Sequence, residues 1–147
     1  MTNDTELAER LTRSRARMIP VLVVLFSTQQ AAYFANTGEN YLATGPDRVR
    51  LAEWLVMSLV LLVFLATGGA FFRSARVRAL LNDETTKAHR ADAASKGFWV
   101  AMIFCFFLYG ISMYEVMDAR TAIHIIMTVG IGVSLLRFAV LERRALK

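Results

Sequence analysis

The chain has 147 residues, 56% of them hydrophobic and 20% charged, with a formal net charge of +5. That length holds one domain. Its charges collect between apolar blocks, which excludes an ordinary soluble domain with charges spread along amphipathic periods. The basic excess carries no nucleic-acid recognition motif and lies at the ends of apolar blocks, so the expected partner is a lipid bilayer and not nucleic acid.

The apolar blocks are residues 18–35, 51–72, 97–116 and 119–141. Each has roughly the 17–25 residues needed to cross about 30 Å of hydrocarbon. A backbone in lipid must satisfy itself, so each is predicted to be a helix. The fold class is therefore all-α: a polytopic four-transmembrane-helix bundle forming a single integral membrane domain.

Before the first block, Asn3–Arg17 reads as a short helix lying on the membrane surface, with Leu7 and Leu11 facing lipid. Around Ala32–Ala35, Gln30 or Tyr33 occupies a position where signal cleavage needs a small residue, so the first helix is expected to be retained. Residues 36–50 contain Gly38, Gly45 and Pro46 and read as an irregular outer loop. In the second block, Gly68-Gly69 reads as a site of close helix packing. The 73–96 linker has neither Gly nor Pro. It predicts helix continuing beyond the membrane, broken once at Asn82-Asp83, where Asp83 caps a new helix by accepting from the amide of Thr85 or Thr86. The expectation is a helical hairpin extending into the cytoplasm between helices 2 and 3. Only a few residues near Met117–Arg120 join the third and fourth helices, which makes them antiparallel neighbours.

Orientation follows from the basic residues. Fourteen Lys/Arg lie at the N-terminus, in the linker and at the C-terminus, whereas only Arg48, Arg50 and Arg120 lie opposite them. The positive-inside rule then puts both termini and the linker in the cytoplasm, in a multi-pass inner (plasma) membrane protein. Trp99 at the inner interface, and Tyr41, Trp54 and Tyr114 near the outer one, fit that direction.

The linker RALLNDETTKAHRADAASKGFW resembles the loop of uncharacterised bacterial four-helix inner-membrane proteins that carry an LNDE signature, matched here by Asn82, Asp83 and Glu84. The resemblance implies a bacterial inner-membrane protein of unassigned activity. Read from the residues alone, the three form a helix break and N-cap. The functional reading makes them a cytoplasmic docking surface for a protein partner.

Polar residues within the spans fall in the outer half. Gln29 and Gln30 of the first helix, Glu53 of the second, Tyr109, Ser112 and Glu115 of the third, and His124 and Thr128 of the fourth form a candidate outward-facing pocket. Thr121, His124 and Thr128 share one helix face, as do Cys105, Tyr109, Ser112 and Glu115, and such stripes are expected to face the bundle interior. His124 is the only histidine in a span, in the stretch YEVMDARTAIHII, where Tyr114, Glu115, Asp118 and Arg120 read as turn and interface residues. His124 serves either as interhelical glue or as a functional group.

No cofactor or metal is expected. A bundle haem needs a second axial ligand, for which Met113, Met117 or the His124 of a second copy are the candidates, and Glu53, Glu115 and His124 lack di-iron spacing. No catalytic residue is assigned, since nucleophile and phosphate-loop motifs are missing. The single cysteine, Cys105, forms neither a CxxC pair nor an intrachain disulfide.

In TVGIGVSLL, Gly130 and Ser134 make a small-xxx-small pair. It serves close packing within the monomer or, as a secondary reading, a homodimer seam through helix 4, while Gly132 is assigned to internal packing. The leading functional expectation is a non-enzymatic accessory or sensory subunit. The alternative is a small transporter or membrane enzyme using an outward-facing pocket around Glu53, Glu115 and His124.

Overall fold

A computed structural model describes residues 2–35, 45–69 and 83–145. They form four helices: α1 (Thr2–Ala35), α2 (Gly45–Thr67), α3 (Glu84–Ser112) and α4 (Ala119–Ala145). The fold is all-α, and each helix contains a stretch long and apolar enough to cross a membrane. Arg15 meets Glu142 at one end of the α1–α4 pair and Gln30 meets His124 at the other, so these helices run antiparallel. The end carrying Arg15 and Glu142 is called basal here, and the end carrying His124 distal.

Apart from the end of α3, which falls at Ser112 short of the expected residue 116, helix boundaries depart from the sequence expectations in four places. Helix α1 is continuous through 34 residues, including Pro20. No separate surface helix precedes it, because Arg15, Ala16 and Ile19 are buried within the bundle and anchor the basal turns. Helix α2 begins at Gly45, so residues 45–50 are helical and not loop. Proline is tolerated in a first turn, where its missing N–H has no intrahelical partner anyway, so Pro46 starts the helix instead of preventing it.

Helix α2 ends at Thr67, short of the expected Phe72. Gly68 and Gly69 follow at φ of 63° and 76°, and the Gly69 amide donates back to the Phe64 carbonyl at 3.2 Å. That left-handed pair terminates the helix, a role in which glycine lacks the Cβ penalty of other residues. It is not the mid-span packing site read from sequence.

The fourth departure concerns the expected projecting hairpin. Its first half, residues 73–82, lies outside the described residues. Its second half is the basal part of α3, which begins where expected but packs onto the bundle: Thr86 and Ala93 are buried.

Two apolar clusters fill the interior. Ile19, Ala93, Phe138 and Ala139 pack at the basal side, and Phe26, Leu61, Ile131 and Leu135 above them, with Phe64 and Leu65 bordering both. The outside is apolar as well: Val24, Leu59, Ile103 and Phe107 are each more than 60% exposed.

Helices α3 and α4 share the largest interface, and glycine makes it close. A Cβ on Gly97 would overlap Ser134 Oγ and come within 2.6 Å of the Gly130 carbonyl oxygen, while one on Gly130 would sit 3.3 Å from Ala101 Cβ. The Gly130–Ser134 ridge is thus occupied by α3 of the same chain. Gly132 faces Phe26 of α1. Substitution Gly97→Ala therefore forces backbone apart from backbone, and overpacking of this kind costs about 1–3 kcal/mol. Denaturant titration of the detergent-solubilised protein by circular dichroism should show that loss. The same change at Gly110, where an added Cβ meets nothing within 4 Å, should show none of it.

Candidate functional site

Buried polar side chains gather at two levels of the bundle. At the distal level His124 is 2% exposed. Its Nε2 lies 2.7 Å from Gln30 Oε1, which also accepts from the Thr128 hydroxyl at 3.0 Å. With the amide oxygen serving as acceptor twice, Nε2 carries the imidazole proton. Tyr33 of α1 stacks on one side at a centroid distance of 3.6 Å, Trp54 of α2 stacks at 4.2 Å, and Phe34 meets the ring edge-on at 5.5 Å. Aromatic pairs in such geometry contribute about 0.5–1.5 kcal/mol each beyond their area. Three helices are therefore joined through one imidazole.

Some polar atoms at this level find no hydrogen-bond partner among the described residues: His124 Nδ1, Gln30 Nε2, Gln29 Oε1, Trp54 Nε1 and Ser58 Oγ.

Of the pocket residues read from sequence, Gln30, His124 and Thr128 come together, with Gln29 half-buried beside them. Glu53, Tyr109, Ser112 and Glu115 do not join them, and all four are exposed. The Cys105–Glu115 stripe expected to face inward instead points its distal members outward: Tyr109 is 73% exposed, and the Ser112 hydroxyl donates to the Tyr109 carbonyl of its own helix. The reason is that α3 uses another face, carrying Ala93, Gly97, Ala101 and Leu108, for close packing. Tyr114, Glu115, Asp118 and Arg120 are exposed in or beside the turn, as anticipated. Met113 is exposed and Met117 half-buried. Among the described residues no group of three His, Cys, Asp or Glu is placed to hold a metal ion.

The basal level was not anticipated. Arg15 is 8% exposed and Glu142 4%. Their side chains meet at 2.5 Å, and the same guanidinium nitrogen donates to Thr86 Oγ1 at 3.1 Å. The other terminal nitrogen of Arg15 donates to the Gly68 carbonyl at 3.4 Å. On its far side Glu142 meets His89 Nδ1 at 3.2 Å through its second oxygen. One carboxylate and one guanidinium thus touch all four structural segments. Nearby, Arg90 donates to the Ala66 carbonyl, and Arg137 pairs with Asp92 at 2.6 Å in a half-exposed position.

Asp83 feeds the same node. It caps α3 by accepting from the Thr86 amide at 2.8 Å, the second of the two partners anticipated. Asp83 and Glu84 are exposed, and Asn82 lies outside the described residues. Partial burial pushes the Asp83 carboxyl upward, but the Thr86 amide and hydroxyl, with the charges of Arg15 and His89, outweigh it and hold the group below its ordinary value.

Comparison with family models, curated proteins and solved structures finds no match for this chain.

Two measurements check this geometry. Truncating either Arg15 or Glu142 to Ala leaves a buried charge alone, a loss of about 3–5 kcal/mol, whereas replacing both with apolar residues costs much less. A double-mutant cycle read by denaturant titration should therefore be strongly non-additive; additive losses would show that the pair is not coupled. For Asp83, a lowered folded value means its stabilisation is full above the ordinary carboxylate range and lost as pH falls through the folded value. Melting temperatures of wild type and Asp83→Asn should differ at neutral pH and converge in acid, and Asp83→Ala should cost about 0.5–2 kcal/mol at neutral pH.

Proposed function

We propose that this chain is a multi-pass integral protein of a bacterial inner membrane, with both termini and residues 73–96 in the cytoplasm. In this reading it works as a non-enzymatic accessory or sensory subunit. The membrane assignment is supported by the bundle's apolar outside, since contiguous exposed apolar surface on this scale marks contact with lipid or protein. Direction is supported by the basal rim, where Arg10, Arg13, Arg17, Lys87, Arg143 and Arg144 are exposed. Bacterial origin rests on the LNDE resemblance.

The observation that carries the functional reading is the enclosure of His124. Its ring is stacked by Tyr33 and Trp54 and bonded to Gln30, while Glu53 and Glu115 stand apart on the outside. The interior polar groups are used to join helices. That supports an accessory subunit over a transporter or enzyme working through an outward-facing pocket. The basal end, by contrast, combines a fixed framework with an exposed charged rim that includes Asp83 and Glu84, a surface suited to a protein partner in the cytoplasm.

Alkaline-phosphatase fusions test the orientation: activity is expected after residue 42 and not at residue 84 or 145, and an active fusion at 84 would reverse it. Crosslinking in native membranes, followed by mass spectrometry, tests the role. A cytoplasmic or membrane protein should be captured by the wild type and lost in Asp83→Lys/Glu84→Lys. A tightly held metal or chromophore in the purified protein would favour the enzyme reading instead.

A further inference from the structure

A groove of about 600 Å³ runs between α2 and α3, with α4 as its floor. That volume lies in the range of about 300–1,000 Å³ typical of small-molecule sites. It exists because the Gly97–Gly130 approach draws α3 against α4, leaving α2 and α3 few direct contacts. Ala91, Ala94, Gly97 and Ala101 of α3 give it width, and Leu62 and Leu65 of α2 form the opposite wall.

The groove is chemically polarised. Lys87 and Arg90 line its basal mouth, and none of its described lining residues is acidic. Arg90 is held in place by donation to the Ala66 carbonyl on the α2 side. The nearest acid along α3 past Arg90, Asp92, does not line the groove and is engaged by Arg137. Asp83 and Glu84 lie one turn before Lys87, at the α3 N-terminus outside the groove. From Arg90 to Ala101 the groove follows eleven residues of helix, about 16 Å at 1.5 Å per residue. One leaflet of hydrocarbon, half of about 30 Å, is nearly the same depth.

We infer that this groove binds an anionic phospholipid of the inner leaflet, with one acyl chain between α2 and α3 and the phosphate at Lys87 and Arg90. The inference rests on the membrane assignment above. A cationic mouth over an apolar slot one leaflet deep matches the two parts of such a lipid. Basic sites between membrane helices on the cytoplasmic side select anionic headgroups in this way. A second copy or a partner helix seated there would have to present an acid at the depth of Arg90 to match the same charges.

The experiment uses the full chain reconstituted in nanodiscs of mixed phosphatidylglycerol and phosphatidylcholine, with retained lipid counted by native mass spectrometry after transfer to detergent. Wild type should retain phosphatidylglycerol over phosphatidylcholine. Each cation removed, in Lys87→Gln and in Lys87→Gln/Arg90→Gln, should reduce that preference by roughly fivefold. Ala94→Phe, which fills the slot from an exposed position, should remove retained lipid of both kinds while circular dichroism remains that of wild type. Because Arg90 also braces α2, Lys87→Gln alone decides the charge question if the double variant unfolds. Equal retention of the two lipids by wild type, an unchanged preference in Lys87→Gln, or a second copy retained in place of lipid would overturn the proposal. Alkaline-carbonate extraction separates the two levels. A chain released from membranes overturns the membrane reading and the lipid site together, whereas a chain that stays membrane-bound without lipid preference overturns the site alone.

Discussion

The buried pair of Arg15 and Glu142 is the constraint from which the rest of the arrangement follows. A carboxylate and a guanidinium withdrawn from water are tolerated only when each meets the other and further hydrogen bonds offset the lost hydration. Here that requirement recruits every helix. Arg15 brings α1, Glu142 brings α4, Thr86 and His89 bring α3, and the Gly68 carbonyl brings the end of α2. The left-handed turn at Gly68-Gly69 halts α2 beside the guanidinium, where the Gly68 carbonyl is available as an acceptor. Asp83 fixes the first turn of α3, and with it the Thr86 hydroxyl that Arg15 needs.

A second joint at His124 keeps the helices from pivoting about the first. Arg15 and Gln30 are fifteen residues apart on α1, about 22 Å along the axis, and His124 and Glu142 are eighteen apart on α4, about 27 Å. The joints therefore stand near the two ends of an apolar middle built from Ile19, Phe26, Leu61, Ile131, Leu135 and Phe138. The middle supplies close packing, and the polar ends supply register. Sliding α1 along α4 by one turn would strand Arg15, Gln30 and His124 together, each buried and each without its partner. Buried polar groups specify one alignment where apolar surface alone would accept several.

Much of this was legible in the sequence, and the failures have physical reasons. Number of helices, the α3 start, the Asp83 cap and the His124–Gln30–Thr128 association were all readable from apolar length, capping chemistry and helical spacing. The Arg15–Glu142 joint was missed because both residues lie beyond the apolar blocks, among charges that orientation rules treat as a group. A signal was present. The stripe His124, Thr128, Ile131, Leu135, Phe138 continues at steps of three and four to Glu142, and the stripe Tyr33, Gln30, Phe26, Leu22, Ile19 continues to Arg15. A charge that ends an apolar stripe on the same face points inward with it. The Cys105–Glu115 stripe misled for the opposite reason: it is polar, but α3 carries a second stripe of small residues, and close backbone approach decided which face turned in.

The four helices are unequally held. Helices α3 and α4 are pressed together by glycine contacts, and α1 is joined to α4 at both polar joints and through the core between them. Among the described residues helix α2 has fewer attachments: the Trp54 stack distally, Leu61 in the core with Phe64 and Leu65 bordering it, and the carbonyls of Ala66 and Gly68 reached by Arg90 and Arg15. Its basal polar attachments run through long side chains that adjust readily, and only Phe64 and Leu65 tie this end of it to the basal cluster. Local opening begins where apolar contacts are few, so α2 is the helix whose displacement disturbs least of the remainder. The groove beside it is the static counterpart of that inequality. Tight α3–α4 packing and loose α2–α3 packing are one feature seen from two sides, because residues that bring α3 close to α4 have no bulk left to reach α2.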